Sequence, residues 1–195
     1  MVFKRMNPVN PANSNMPTLK DTIIPFALEL CDVTGRFFRS QHLISQILNR
    51  HNYPDAVARL LGEALLVTGL LASGMKLRNR MILQIQGDGA ISMLMAEYTA
   101  GGTMRGYAKF DADMLARWTG GENINPFLLL GKGHVALTVD NGADMQPYQG
   151  IVPIDGQSLS AVILKYIEQS DQIMSSLIVH LQRMDVVEGL SLIHI

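Results

Sequence analysis

Met81-Ile-Leu-Gln-Ile-Gln-Gly-Asp-Gly-Ala-Ile-Ser-Met-Leu-Met95 decides the fold. Met81, Leu83 and Ile85 alternate with polar residues, Gly87-Asp88-Gly89 supplies turn residues with the positive φ that glycine tolerates, and Ile91, Met93 and Met95 continue with period two. That pattern predicts a hairpin with Ile91, Met93 and Met95 on one face. A further turn at Thr99-Ala100-Gly101-Gly102 leads into Met104-Arg-Gly-Tyr-Ala-Lys-Phe110, which extends the hairpin to a three-stranded antiparallel meander.

Upstream the period is helical. Leu43, Ile44, Ile47 and Leu48 fall on one helix face, the Tyr53-Pro54 step breaks it, and from Asp55 a second helix carries Val57, Leu60, Leu61, Ala64, Leu65 and Leu66. The apolar run 64–75 is interrupted by Thr68, Gly69, Ser73 and Gly74 and reads as a buried central helix, short of the roughly 18 apolar residues of a membrane span. Before them, Ile23 to Leu30 and Val33 to Phe38 read as strands, with Pro25 pointing to an edge or a bulge. Downstream, 111–118 reads as a short helix and 135–139 as a strand. Asn141-Gly142 reads as a type I′ turn, and 148–154 as a returning strand ended by Pro153. Ser158 is placed to cap a helix carrying Leu159, Val162, Ile163, Tyr166 and Ile167, and Leu177, Val179 and Leu181 alternate in a last strand. Hairpins with helices grouped between them, rather than strand-helix-strand repeats, give an α+β fold with a mostly antiparallel sheet in a single domain.

The chain has 195 residues, 16 Lys and Arg against 17 Asp and Glu, 48% hydrophobic residues and one cysteine. A chain of this length buries about 70% of its unfolded surface, enough for a core without disulfides or metals. A net charge of −1 lacks the basic excess that nucleic acid or an anionic membrane demands, so neither is an expected partner. Residues 1–20 hold Asn7, Pro8, Asn10, Pro11, Asn13, Asn15 and Pro17 with no apolar signal core; they read as a disordered lead, and a cytoplasmic location is the default expectation.

Each chemical motif has a plainer reading beside it. Gly131-Lys132-Gly133 lacks a following Ser or Thr, and Pro126 stands where a phosphate-loop glycine belongs. His42, His51, His134, His180 and His194 never fall in metal-ligand spacing, and no metal or other cofactor is expected in this chain. Cys31 beside Asp32 reads as a buried structural thiol. Glu63 sits inside an apolar helix and must be paired or reach solvent. The twelve methionines open a different possibility, because flexible thioethers can line an adaptable binding surface, although strand alternation of Met81, Met93 and Met95 favours packing.

Taken together and in order, Asp21-Thr-Ile-Ile-Pro-Phe26, Val33-Thr-Gly-Arg36, His51-Asn-Tyr-Pro54, Leu60-Leu-Gly-Glu-Ala-Leu65, Ile82 to Met93, Met104-Arg-Gly-Tyr-Ala108, Tyr148-Gln-Gly-Ile-Val152 and 158–170 resemble the heat-shock protein 33 family of redox-regulated chaperonins. The resemblance implies an ATP-independent holdase that captures unfolded or partly folded client proteins during oxidative and heat stress, and a homodimer as its active form. It also implies zinc held by four cysteines in a C-terminal domain, whose oxidation expels the metal. None of those cysteines stands in this sequence, so residues 21–182 are expected to be the N-terminal chaperone domain. Residues 183–195 read as an atypical tail that does not resemble the family's continuation.

Holding a client needs buried area and no transition-state site, so no catalytic residue is expected. Ile91, Met93, Met95 and Met104 are the client-binding candidates, while Arg36, Asp88, Arg105 and Gln149 are expected to fix turns and strand ends. Two other readings remain: a small-molecule enzyme with Glu63, Arg105 or His134 as acid-base groups converging in one cavity, and an inert oligomerisation domain.

Overall fold

The computed structural model describes residues 21–118, 125–183 and 190–193. The expected lead 1–20 and most of the tail 183–195 lie outside the described residues, as does the side chain of Cys31.

Its axis is a long helix. The short helix α1 (Leu43–Leu48) ends at its cap Asn49, before the Tyr53-Pro54 step expected to break it, and Pro54 opens the next, α2 (Asp55–Gly74), twenty residues long. Val57, Leu61, Leu65, Leu66 and Val67 of α2 are fully buried. By length and composition α2 is apolar enough to cross a bilayer, but most of it is buried inside the protein. It is therefore a core helix, although more continuously apolar than its sequence interruptions imply.

The meander forms as expected: β3 (Arg80–Gly87), β4 (Ile91–Thr99) and β5 (Met104–Phe110) pair antiparallel. The sheet is wider than the meander. After α3 (Ala112–Arg117) and a 3-10 turn at Pro126–Leu130, β6 (Gly133–Asp140) returns to pair with the free side of β3, and β7 (Tyr148–Pro153) pairs with β6, giving the order β5-β4-β3-β6-β7. The helix α4 (Leu159–Asp171) begins where expected, with the Ser158 hydroxyl accepting from the Ala161 N–H at 3.2 Å.

Two turn readings change. Gly87 and Gly89 do not take positive φ; a Cβ at either would collide with the carbonyls of Leu130 or Leu129, and the positive φ (67°) falls at Gly131 across the loop. These glycines allow two loops to close on each other, locked where the Asp88 carboxylate accepts from the Lys132 N–H at 2.7 Å. Asn141-Gly142 opens a wider loop rather than a two-residue turn: Gly142 has φ 105°, Asn141 does not share the positive φ a type I′ turn needs, and the next strand starts only at Tyr148.

At the other end, a separate hairpin of β1 (Thr22–Leu28) and β2 (Val33–Arg39) is anchored at its base. Phe38 packs on α2 over Gly69, where a Cβ would lie 2.6 Å from its ring. The Asp21 carboxylate accepts from the N–H groups of Gln41, His42 and Leu43 and from the Ser40 hydroxyl, tying β1 to the start of α1. Burial alone would raise the Asp21 pKa, but those hydrogen bonds hold it below the usual carboxylate value. A last hairpin pairs β8 (His180–Arg183) with β9 (Leu190–Ile193), so the last expected strand starts three residues later than the alternation from Leu177 implies.

Candidate functional site: the open face of the sheet

Side chains alternate across the sheet and give it two unlike faces. Met81, Leu83 and Ile85 of β3, Leu94 and Ala96 of β4, Met104 and Ala108 of β5, and Val135 and Leu137 of β6 face α2 and are buried. The cross-strand register puts Ile82, Gln84, Met93, Met95, Glu97, Arg105, Tyr107, Lys109, Ala136, Thr138, Gln149 and Ile151 on the opposite face.

A strip across the middle of that face is apolar. Met95 stands opposite Tyr107 on one side and Gln84 on the other, Gln84 opposite Ala136, and Ala136 opposite Ile151. Tyr107 is 42% exposed and Ile151 60%, while Met93, Met95 and Ile82 are half-buried. One end of the strip is bounded by an ionic ladder across four strands: Arg105 to Glu97 at 3.9 Å, Glu97 to Arg80 at 3.6 Å, and Arg80 to Asp140 at 3.0 Å. The Gly142 N–H bond, ahead of Asn79 and Arg80, keeps the Asp140 carboxyl below its ordinary pKa. An apolar centre with a polar rim is the layout of a surface that buries a partner, and its half-exposed thioethers can adapt to different side chains.

Two of the four client-binding candidates lie elsewhere. Ile91 is fully buried and Met104 is 7% exposed, both on the α2 side, so neither can touch a partner while the core is intact. The expectation that Ile91, Met93 and Met95 share a face fails because the β4 to β5 register shifts between Ile91 and Met93. One extra residue, Ser92, turns Ile91 to the core and the two methionines to solvent. The sequence reading missed Tyr107, Ile82 and Ile151; period-two counting along β3 from Gln84 reaches Ile82, whereas Tyr107 and Ile151 need the cross-strand register.

The β1-β2 hairpin carries a second apolar surface. Ile24, Phe26, Leu28 and Val33 share the face turned away from α2 and are each 46–54% exposed, with the Phe26 ring lying over Gly35. Arg36, on the other face, rests its guanidinium against Gly74 at the C-terminal end of α2, where helix carbonyls favour a cation. Gln149 donates to the Thr138 hydroxyl at 2.9 Å and Asp88 locks its turn, as expected of strand-end residues, whereas Arg105 sits within the ionic ladder.

Glu63, Arg105 and His134 do not converge. Glu63 leaves α2 toward the start of α4, where the Ser160 hydroxyl donates to its Oε1 at 3.5 Å, while Arg105 and His134 lie on the open face on strands separated by β4 and β3. Burial pushes the Glu63 carboxyl above its ordinary pKa, against the opposing hydrogen bonds from Ser160. Among the described residues no three His, Cys, Asp or Glu side chains gather where they could hold a metal ion. With a single cysteine in the sequence, the residues present do not fit a four-thiolate zinc site.

One sheet face packed by an apolar helix and the other carrying an open apolar strip define an α+β domain built around a half-covered antiparallel sheet. The chain belongs to the Hsp33 protein family, whose model matches residues 21–192. It is 39% identical to the 33 kDa chaperonin of Caulobacter vibrioides over 156 residues, covering 79% of this chain and 51% of the relative. Against the 33 kDa chaperonin of Hahella chejuensis it is 35% identical over 157 residues, covering 78% and 51%. The chain thus spans about half the length of the curated relatives it matches. The crystal structure of the 33 kDa chaperonin from Thermotoga maritima shares the fold at a TM-score of 0.75 and 21% identity, covering 90% of this chain and 59% of that one.

Proposed function

We propose that this chain acts as an ATP-independent holdase in the cytoplasm, capturing unfolded or partly folded proteins on the open face of its sheet. The observation that supports this most directly is the solvent-facing strip of Ile82, Met93, Met95, Tyr107 and Ile151. It lies on the only face of the five-stranded sheet that α2 leaves uncovered among the described residues. Capture by burial needs no reaction. At about 25 cal/mol per Å², a few hundred Å² of apolar contact supplies several kcal/mol without specifying a client sequence.

In the family the resemblance implies, activity is gated by cysteine oxidation and zinc release. The residues of this chain hold clients without a four-cysteine switch, so its binding does not depend on thiol oxidation. The homodimer has a natural seat on the exposed face of the β1-β2 hairpin, where self-association hides Phe26 and Leu28.

Light scattering from a chemically unfolded client diluted into ATP-free buffer tests the proposal. Equal suppression of aggregation by the reduced and the peroxide-treated chain is the expected result. Suppression in neither state would mean that this chain is insufficient as a holdase and acts as an oligomerisation domain.

A further inference from the structure

The two edges of the five-stranded sheet are treated differently. In an antiparallel ladder, alternate residues spend both backbone groups on one neighbour and the residues between them on the other side. Asp88 N–H donates to the Lys132 carbonyl at 2.9 Å and Ile154 N–H donates to the Gly133 carbonyl at 2.9 Å. With the β3 to β6 and β6 to β7 registers, these bonds assign the even-numbered residues of β6 to β3 and the odd-numbered ones to β7. Tyr148, Gly150 and Val152 therefore bond inward to β6. Gln149, Ile151 and Pro153 turn their backbone groups away from the sheet.

The same argument at the far edge gives a closed result. Thr99 N–H donates to the Thr103 carbonyl at 3.0 Å, so the β4 to β5 register leaves the N–H of Ala108 pointing outward. That N–H donates to the Tyr53 hydroxyl at 3.1 Å, and Ile47, Leu61 and Leu65 crowd the neighbouring Gly106. The β5 edge is thus capped at Ala108 by Tyr53, from the segment joining α1 to α2. No strand pairs with the outer side of β7 among the described residues, and Gln149, Ile151 and Pro153 are exposed. Neither Gln149 nor Ile151 brings the charge that usually discourages edge pairing.

We propose that the outer edge of β7 pairs with an extended segment of an unfolded polypeptide through the N–H and C=O groups of Gln149 and Ile151 and the C=O of Pro153. Main-chain hydrogen bonds are available from any sequence, so this mode complements the apolar strip, of which Ile151 is the end, and deepens the holdase reading on which it rests. A second copy is the poorer occupant. Two β7 strands paired antiparallel meet a proline in either register that pairs their outward groups: about Ile151 each Gln149 carbonyl faces Pro153, and about Gly150 each Pro153 carbonyl faces Pro147, neither of which has an N–H to give, whereas an unfolded segment supplies a donor there.

Hydrogen exchange on the full chain tests this with a fluorescein-labelled peptide of alternating Thr and Val as the probe. On peptide addition the amides of Gln149 and Ile151 should slow at least about tenfold, equivalent to about 1.4 kcal/mol, while Tyr148, Gly150 and Val152 are already protected. The same peptide N-methylated on every backbone nitrogen has no N–H to give on either edge and should bind at least about tenfold more weakly. Ile151→Pro removes an outward N–H and should abolish binding, whereas Ile151→Thr, which keeps the main chain and a β-branched side chain, should retain it. No binding of the peptide, binding without protection at Gln149 and Ile151, or protection that rises with protein concentration in the absence of peptide would each overturn the proposal. Loss of client suppression in Met95→Glu with the exchange result unchanged separates the strip from the edge.

Discussion

The middles of the two faces of one sheet carry similar apolar residues in opposite surroundings. On the α2 side, Met81, Leu83, Ile85 and Leu94 are fully buried. On the open side, Met93, Met95, Tyr107 and Ile151 are half-buried or exposed. Within that central strip, hydrophobicity alone therefore does not separate covered from open positions. What separates them is a helix on one side and, within β4, a single inserted residue that sends Ile91 inward and Met93 outward. The lesson is that an apolar strand position acquires its role from what covers it.

Substitutions on the covered and the open side of the sheet should differ several-fold in stability and in the reverse sense in activity. Leu65→Ala, at a fully buried α2 position beside the sheet, should cost about 2–5 kcal/mol in urea unfolding. Tyr53→Phe, which strips the hydroxyl that covers the Ala108 N–H, should cost about 1 kcal/mol and speed exchange of that amide, making the β5 edge resemble the β7 edge.

Glu63 adds a pH dependence on the covered side. Its folded pKa is raised, so the protonated fold is favoured, and its contribution is present at low pH and lost as pH rises from about 4.5 through the raised value. Glu63→Gln keeps a neutral partner for Ser160 and should become progressively more stable than the parent across that window. Parallel urea titrations at several pH values check the sign. Met95→Glu on the open face should change stability by less than about 1 kcal/mol while weakening suppression of client aggregation. A stability loss as large as that of Leu65→Ala would erase the distinction between the faces.

Much of this was legible in the sequence. Period two in 81–95 and period 3.6 in 55–66 predict the meander and the central helix, and Ser158 marks the start of α4, because each signal is local. The placement of β6 beside β3 was not legible, since it depends on Gly87, Gly89 and Gly133 letting distant loops touch. The candidate site was half-legible: Met93 and Met95 stand on the open face, but a bulge, which leaves no mark in an alternating pattern, turns Ile91 inward, and Met104 falls on the core side with Ala108, which only the β4 to β5 register reveals. The ionic ladder joins residues from four strands and needs the register before it can be seen.

The most direct test uses the methionines themselves. With the Met methyl groups labelled with carbon-13, a chemically unfolded client is titrated into the chain and the signals of Met93 and Met95 are followed beside those of Met81 and Met104. The account predicts that Met93 and Met95 shift or broaden while Met81 and Met104 stay unchanged. Unchanged signals at Met93 and Met95 on client binding, or changes confined to Met81 and Met104, would contradict it.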